Sequence, residues 1–591
     1  MGNSLKFVAG FLFIFQVGGF AQAVKWQDAG SYDYAGHNGK TPAYPGTDGP
    51  MNPAYTATRV YPEIDATVGG LAWLPNGDLV LLEFGAVTRK SGALTILKNV
   101  SSASQSVTSE TILKGLDDPL GVQVVDGVIY VNDQGGVWRV EKSESGTYSK
   151  TLFSPRPVAA RKGNYPFAFN LEYHGGFLYY AMGNHNISSP ESAPWPGHVY
   201  KVDIKTGTVE TMNDGIRMPN GMGVKKATGD LFYSDNQGQW RKASPVFHVQ
   251  KGAFNGHPAL KTGGSWFPGT AKVTPPAVWL PSNSRSTYGA MTRSTTGLHE
   301  VENGIYKGQF LMGDNYMGRV NRIFLEKVNE VYQGATFHFS NTVKGGIQTM
   351  IESADGTLIG GALGDPQSGW NWQGVLGGLT KWTPNKNGVM DILEIRSNRK
   401  GFDLEFTEPV KAADISPESF WVVSYAYNNW SEDYGGSPED VKKMKITAIE
   451  SSVDRKQVAI TIEGLAKGRV YNIMFKSGLQ SESGKSNLFQ HAWYTLNEIS
   501  DRDVLQTVAI AKVDRVREGF QFDLQGRSLD ISNLQSQNFS VKVYNPAGRI
   551  VPQSVAMGRQ GKASIRFSDR GVYILRILTP QGSFSKELTI L

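Results

Sequence analysis

One phrase returns six times along the first two-thirds of the chain: a glycine-marked turn, a short apolar strand of the LYV kind, then a polar loop containing glycine. It reads NGDLVLLEFG (76–85), DGVIYVNDQGG (126–136), GGFLYYAMGNHN (175–186), GDLFYSDNQGQW (229–240), KGQFLMGDNYMG (307–318) and DGTLIGGALGD (355–365). The usual step is about 50 residues, the period of a β-propeller blade, and one step nearer 80 marks a blade with an insertion. Six copies predict six blades around a central channel. In such a ring the strands are scaffold, so a ligand is expected at the loops of one face.

The stretch before the ring, 24–59, is rich in Tyr, Gly, Pro and Asn and reads as an irregular lead-in, and the propeller is expected over 60–382. Beyond it the pattern changes. GFDLEFTEPV (401–410), QVAITIEGL (457–465) and VYNIMF (470–475) are short alternating strands with turns between them, and no stretch of helical period interrupts them. That predicts an Ig-like β-sandwich over 388–497. After a polar linker, VKVYNPAGRIV (541–551), ASIRFSDRGVYILRI (563–577) and the closing SFSKELTIL predict a second sandwich over 505–591. The fold class expected is all-β, a six-bladed propeller followed by two β-sandwich domains. The 28 Phe and 24 Tyr are ample for packed cores, and 68 Gly suit many tight turns.

The N-terminus reads as an export signal over 1–23: Lys6, an apolar run from Phe7 to Phe20, then Ala21-Gln22-Ala23 as a small-residue cleavage site. The run is too short to span a bilayer and no later segment would do so, so the protein is expected outside the cell or on its outer surface, without a transmembrane segment. The absence of cysteine rules out disulfides, thiolate metal sites, cysteine nucleophiles and a lipid anchor on cysteine. The formal charge of +6 is not gathered into a basic stretch interleaved with aromatics, and no nucleic-acid partner is expected. No H-E-x-x-H, G-x-S-x-G or G-x-G-x-x-G occurs. GLQSESGKS (478–486) has one residue too many for a phosphate loop.

The polar loops of the repeated phrase should gather at one channel mouth. They bring Asn132, Asp133 and Gln134; Asn184, His185 and Asn186; Asp235, Asn236 and Gln237; and Asp314, Asn315 and Tyr316. Such amides and carboxylates suit a hard cation such as calcium, which takes six to eight oxygens, or a sugar, which takes fans of hydrogen bonds over an aromatic platform. They equally suit plain turn chemistry. Asp133, Asn184 and Asp314 are the substrate-binding candidates of these loops, joined by His257, and Trp370 with Trp372 offers a stacking platform or a packed closure. His185 is the candidate base. His248 and His338 alternate with apolar neighbours and read as structural.

Three resemblances follow from these residues. The propeller is similar to the glucose/sorbosone dehydrogenase family, whose type members use pyrroloquinoline quinone (PQQ) with calcium. The family's Gly-x-Arg-Asn-Pro-x-Gly signature matches GIRMPNGMGV (215–224), where Met218 replaces the Asn. The acidic-Gln-Gly loop matches 235–238, and the Gly-x-Asn-Tyr-Gly-Trp-Pro turn matches GAFNGHP (252–258). The resemblance implies that Arg217 and Asn220 hold the quinone, with Arg319 as a second anion contact, and that Asp235 and Gly238 supply calcium ligands. The family's catalytic His has no counterpart: Tyr165, Pro166 or Phe167 stands in its place, which leaves His185 as a replacement base. The expected function is a PQQ-dependent oxidation of a sugar or polyol; the alternative is a carbohydrate-binding or carbohydrate-processing surface propeller without redox chemistry. Residues 388–497 resemble the Ig-like module that follows propellers in large secreted bacterial proteins, through FTEPV, SYAY and WYTLN. The last 60 or so residues resemble the sorting domain of the type IX secretion system, through V-x-V-Y-N-x-x-G-R (541–549) and G-x-Y-x-x-R (571–576). That resemblance implies the secretion machinery as a partner.

Overall fold

The computed structural model describes residues 50–61, 67–85, 92–101, 106–157, 167–183, 197–257, 260–261, 264–265, 272–281, 291–364, 374–427, 434–436, 438–475, 479–505 and, with gaps, 520–590. The expected export signal, Asn184, His185, Trp370 and Trp372 lie outside these residues. The described chain is all-β, without an α-helix.

Six four-stranded antiparallel units follow one another. The first is β2–β5 (Val68–Trp73, Leu79–Glu83, Gly92–Lys98, Thr108–Leu116) and the second β6–β9 (Gly121–Val125, Val128–Asp133, Gly136–Lys142, Tyr148–Pro155). The third is β10–β13 (Ala168–His174, Phe177–Met182, His198–Asp203, Val209–Thr211). The fourth, β14, β15, β16 and β19 (Gly221–Lys225, Asp230–Ser234, Ser244–His248, Val278–Leu280), carries a small hairpin, β17 (Leu260–Lys261) and β18 (Gly264–Ser265), before its last strand. This is the insertion that lengthens one step of the repeat. The fifth is β20–β23 (Thr295–Glu300, Phe310–Asp314, Arg319–Val328, Val331–Asn341), and the sixth is β24–β26 (Thr349–Glu352, Leu358–Gly361, Leu379–Pro384). Its fourth strand is β1 (Tyr55–Tyr61), from the far end of the chain, paired antiparallel with β26. Part of the lead-in expected to be irregular is therefore the strand that closes the ring.

The closure is visible in the packing. First strands touch in cyclic order, β2 with β6, β6 with β10, and onward through β14, β20 and β24 back to β2. Separate apolar cores lie between successive sheets, such as Val80, Leu82, Val122 and Val131 between the first and second, and Val68, Leu81, Ile359 and Leu379 between the first and sixth. The architecture is a β-propeller. Its repeated phrase has a simple cause: Gly77, Gly127, Gly176, Gly229, Gly308 and Gly356 all take positive φ in or beside the turn between first and second strands, where a side chain would be strained. Near the axis the first strands approach too closely for side chains. A Cβ on Gly221 would stand 2.0 Å from the carbonyl oxygen of Thr296.

The next module is a sandwich, and it is not a separate body. One sheet is β27 (Ile392–Asn398), β28 (Gly401–Phe406), β32 (Gln457–Ile462) and β31 (Ile446–Ser451). The other strands, β30 (Glu439–Met444), β29 (Phe420–Ala426), β33 (Arg469–Phe475) and β34 (His491–Leu496), continue the fifth propeller sheet into one of eight strands. The junction pairs Gly334, Ala335 and Thr336 of β23 with Thr495, Tyr494 and Trp493 of β34. One core unites Phe402, Leu404, Ile460 and Ile473 of the sandwich with Phe324, Ala335 and Phe337 of the propeller. Buried Arg322 pairs with Asp391 at 2.9 Å and donates to the carbonyls of Ile392 and Leu393, with its guanidinium over Tyr306 and Phe337. Towards the C-terminus, β35 (Phe520–Gln525), β36 (Ser528–Asn533) and β39 (Lys562–Arg566) form one sheet. A second is made of β37 (Phe539–Tyr544), β38 (Ala556–Gly558), β40 (Gly571–Thr579) and β41 (Gly582–Ile590). They share a core of Leu529, Ile531, Val541, Val543 and Leu575.

Candidate functional site

In every sheet of the ring the turn glycines mark one face. The loops that follow second strands and lead into first strands therefore share the other. Three of those loops carry a buried aspartate at the same place. Asp133 ends β7, Asp235 follows β15 and Asp314 ends β21.

All three do the same local work. Asp133 Oδ1 accepts from the Gly135 N–H at 2.8 Å and the Trp138 indole at 2.6 Å, and Oδ2 accepts from the Asp117 N–H at 3.2 Å. Asp235 Oδ1 accepts from the Met218 N–H at 2.5 Å, and Oδ2 accepts from the Arg217 N–H and from Arg241 Nε, both at 2.9 Å. Asp314 accepts from the N–H groups of Arg293, Ser294, Tyr316 and Met317 and from the Thr292 hydroxyl. In each sheet the carboxylate clasps the loop after the second strand to the segment that enters the first. These oxygens face buried backbone and side-chain donors, not the solvent where a substrate or cation was expected.

Arg217 stands at the centre of the fourth loop. Its Nε and Nη2 donate to Gln239 Oε1 at 3.3 and 2.8 Å, and its Nη1 donates to the Gln237 carbonyl at 3.2 Å. It is 2% exposed, and burial holds its guanidinium below the usual arginine range. The Gly238 position exists for this packing, since a Cβ there would stand 1.9 Å from Arg217 Cζ. The Gly238 carbonyl accepts from the Arg241 and Gly435 N–H groups. His257 is buried, and its backbone N–H donates to the Gly215 carbonyl at 3.0 Å, so the turn that carries it braces the segment leading to Arg217. Arg319 opens β22 and is 1% exposed, close enough to His338 for its charge to help lower that imidazole. It pairs in register with Asp314 at the loop end of the fifth sheet, with its side chain buried there.

What the loops bring together at the mouth is a belt of amides beside an apolar cluster. Asn220, just before β14, accepts on Oδ1 from Gln348 Nε2 at 2.7 Å; Gln348 Oε1 accepts from Asn315 Nδ2 at 2.7 Å. Three sheets are tied by these two bonds. Asn236 Oδ1 accepts from the Thr295 hydroxyl at 2.7 Å, and Asn132 Nδ2 donates to the Asn170 carbonyl at 2.9 Å. Among the described residues, Oδ1 of Asn132, Oδ1 of Asn315 and Oγ of Ser294 are buried without a protein partner, a capacity suited to water or a ligand hydroxyl. The apolar cluster is Phe84, Leu120, Phe167, Phe169, Met218 and Leu363. Residues from five sheets meet only near the ring's axis. Phe167 contacts Phe84 and Phe169 edge-on, each at 5.7 Å between ring centroids. Phe167, one of the three residues that could stand in the place of the family's His, and Met218, which replaces its Asn, thus share one hydrophobic cluster.

This arrangement does not fit the implied cofactors. Calcium needs six to eight oxygens, whereas Asp235 and the Gly238 carbonyl already face N–H donors. No group of three His, Cys, Asp or Glu able to hold a metal occurs among the described residues. A quinone would need the Arg217 head and the Asn220 oxygen, and both are turned to protein partners.

Sequence reasoning found Asp235 and Asp314 by their place in the repeat and Asn220 through the family signature, but it passed over Gln348 and the Phe84–Leu363 cluster. A signal for Gln348 existed, in its position just ahead of a first strand, equivalent to that of Asn220. It also missed Tyr434, which comes from the sandwich module: the Gly435 N–H donates to the Gly238 carbonyl at 2.9 Å, and Tyr434 pairs with Gln239 in a β-bridge.

Fold and face together define a β-propeller whose mouth combines linked amides with aromatic and aliphatic side chains. No protein-family model and no curated protein matches the sequence. Among solved structures it is similar to an oxidoreductase described as a glucose dehydrogenase from Thermus thermophilus, at 14% identity over 56% of this chain and 99% of that one, with a TM-score of 0.42. It is also similar to the calcium structure of a family AA12 carbohydrate-active enzyme of Trichoderma reesei, at 12% identity over 58% and 100% of the two chains and a TM-score of 0.38. A third is PorZ, a surface component of the type IX secretion system of Porphyromonas gingivalis, at 11% identity over 89% of this chain and 59% of that one, with a TM-score of 0.28. At such identities and superpositions the likeness reaches neither ligand nor reaction.

Proposed function

We propose that the chain is an exported six-bladed propeller that binds a carbohydrate or polyol at the amide-lined face, without redox chemistry. The observation that carries this reading is the meeting of Phe167 and Met218 in one apolar cluster beside the Asn220–Gln348–Asn315 belt. A sugar ring has an apolar face and a fringe of hydroxyls, and this surface offers partners for both. The dehydrogenase reading asks for a polar contact where Met218 stands, and for a base in the place that Tyr165, Pro166 or Phe167 takes.

The following sandwich is read as Ig-like and the C-terminal unit as a type IX sorting domain, on the sequence phrases given above. The secretion machinery is then a partner and the outer cell surface the location. No helix among the described residues is long and apolar enough to cross a membrane.

The test is a glycan array with the mature chain, followed by calorimetry on the hits. A parallel thermal titration uses PQQ with and without calcium. Glycan binding should raise the melting temperature by mass action while the quinone leaves it unchanged. A calcium-dependent rise with PQQ would restore the dehydrogenase reading and remove this one.

A further inference from the structure

The loop between β29 and β30 belongs to the sandwich module, yet its described residues lie on the fourth propeller sheet. Gly435 donates to the Gly238 carbonyl at 2.9 Å and Gly436 to the Lys242 carbonyl at 3.1 Å. Tyr434 forms a β-bridge with Gln239. The backbone demands glycine at 435, and a Cβ at either glycine would make a neighbouring side chain move. A Cβ on Gly435, whose φ is +67°, would stand 2.5 Å from Gln237 Nε2, and one on Gly436 would stand 2.3 Å from Lys242 Cδ.

This seating fixes a ring that the fold does not otherwise use. Tyr434 is 64% exposed, the most open large apolar side chain among the described residues. Arg217 lies under it, with Cζ 5.3 Å from the ring centroid. An aromatic side chain this open is ordinarily free to turn. Here a buried guanidinium holds one side and an anchored backbone holds the base, which leaves the other face presented and its ordering cost already met. The ring belongs to the loop face of the propeller, because Arg217 adjoins Met218 of the apolar cluster and Asn236 of the same loop accepts from Thr295.

We infer that Tyr434 is a stacking platform for a sugar ring, so that the sandwich module supplies a specificity-determining residue to the propeller's ligand site. A single ring with a polar edge, flanked by Gln237 and Gln239, suits one saccharide unit better than a broad apolar partner. The inference rests on the carbohydrate reading of the same face.

The experiment compares the full chain with Tyr434→Ala and Tyr434→Phe, using calorimetry on glycans found with the wild type. Because the ring is exposed, Tyr434→Ala should leave the melting temperature within a degree or two. It should weaken glycan binding about tenfold or more, while Tyr434→Phe, which keeps the face, should stay within about threefold. Equal affinity of wild type and Tyr434→Ala would overturn the platform and leave the carbohydrate reading standing. Weakening by Phe as large as that by Ala would also overturn it, since the hydroxyl and not the face would then matter. A wild type that binds no glycan would overturn both.

Discussion

An aspartate at the end of a strand offers two oxygens and one charge, and Asp133, Asp235 and Asp314 give theirs to the neighbouring loops. Their recurrence was legible in the sequence, because the repeat sets them at one position. Their role was not. The donors they meet, such as the Met218 and Ser294 N–H groups, lie some 20 residues upstream, and only the folded sheet brings them within reach. Asp235→Ala should therefore act on stability first: it strands Arg241, which is fully buried, and frees two backbone donors. A loss of about 3–5 kcal/mol is expected in urea unfolding. Buried histidines add a pH response. Burial pushes His338 and His491 down to about 3, with the charge of Arg319 adding to the effect at His338, while the unfolded chain titrates near 6.5. Between those values the unfolded state binds protons that the folded state refuses. Stability is thus full above about pH 6.5 and falls as pH drops through that window, at about 1.4 kcal/mol per pH unit for each histidine. Unfolding midpoints from pH 7 to pH 5 should show this slope, and His491→Gln should reduce it.

Elements were easier to read than their partnerships. The glycine turns and the alternation of LFYS or FLMGD announce strands, and the sheets follow their order. What alternation could not announce was β1, whose segment YTATRVY has no turn-marked partner nearby and pairs instead with β26, more than 300 residues away. It was equally silent on β23, an eleven-residue strand with a buried outer edge. The meeting of Arg322 with Asp391 belongs to the same scale. Removing the acid by Asp391→Ala leaves a guanidinium that is 0% exposed facing Gln309 and backbone carbonyls alone. Denaturant unfolding should show about 3–5 kcal/mol lost. Replacing Arg322 and Asp391 together with apolar residues should cost much less, as a double-mutant cycle would record.

At the scale of the whole molecule, the propeller and the first sandwich share a sheet and a core, so they should unfold together. Calorimetry on a chain ending near residue 505 is expected to show one main transition for both, superposable on that of the full chain, because the C-terminal unit has its own core. Two resolved transitions within residues 50–505 would contradict the shared core. The site divides along the same line. In its propeller half the repeat announced Asp235 and Asp314 but neither Gln348 nor the Phe84–Leu363 cluster, and Tyr434 arrives from a module whose sequence resembles an Ig-like module.

The β23–β34 junction also decides where force goes. The strand β34 is the last before the tail, and the chain after it is tied down again: the Asn497 and Glu498 N–H groups donate to Gln333, and Arg502 donates to the Ser397 carbonyl. A pull on the chain where it leaves this module, at residue 505, is carried across these bonds into the sandwich sheet at Ser397 and the fifth propeller sheet at Gln333. A pull applied at residue 505 would therefore load the propeller and the first sandwich as one piece.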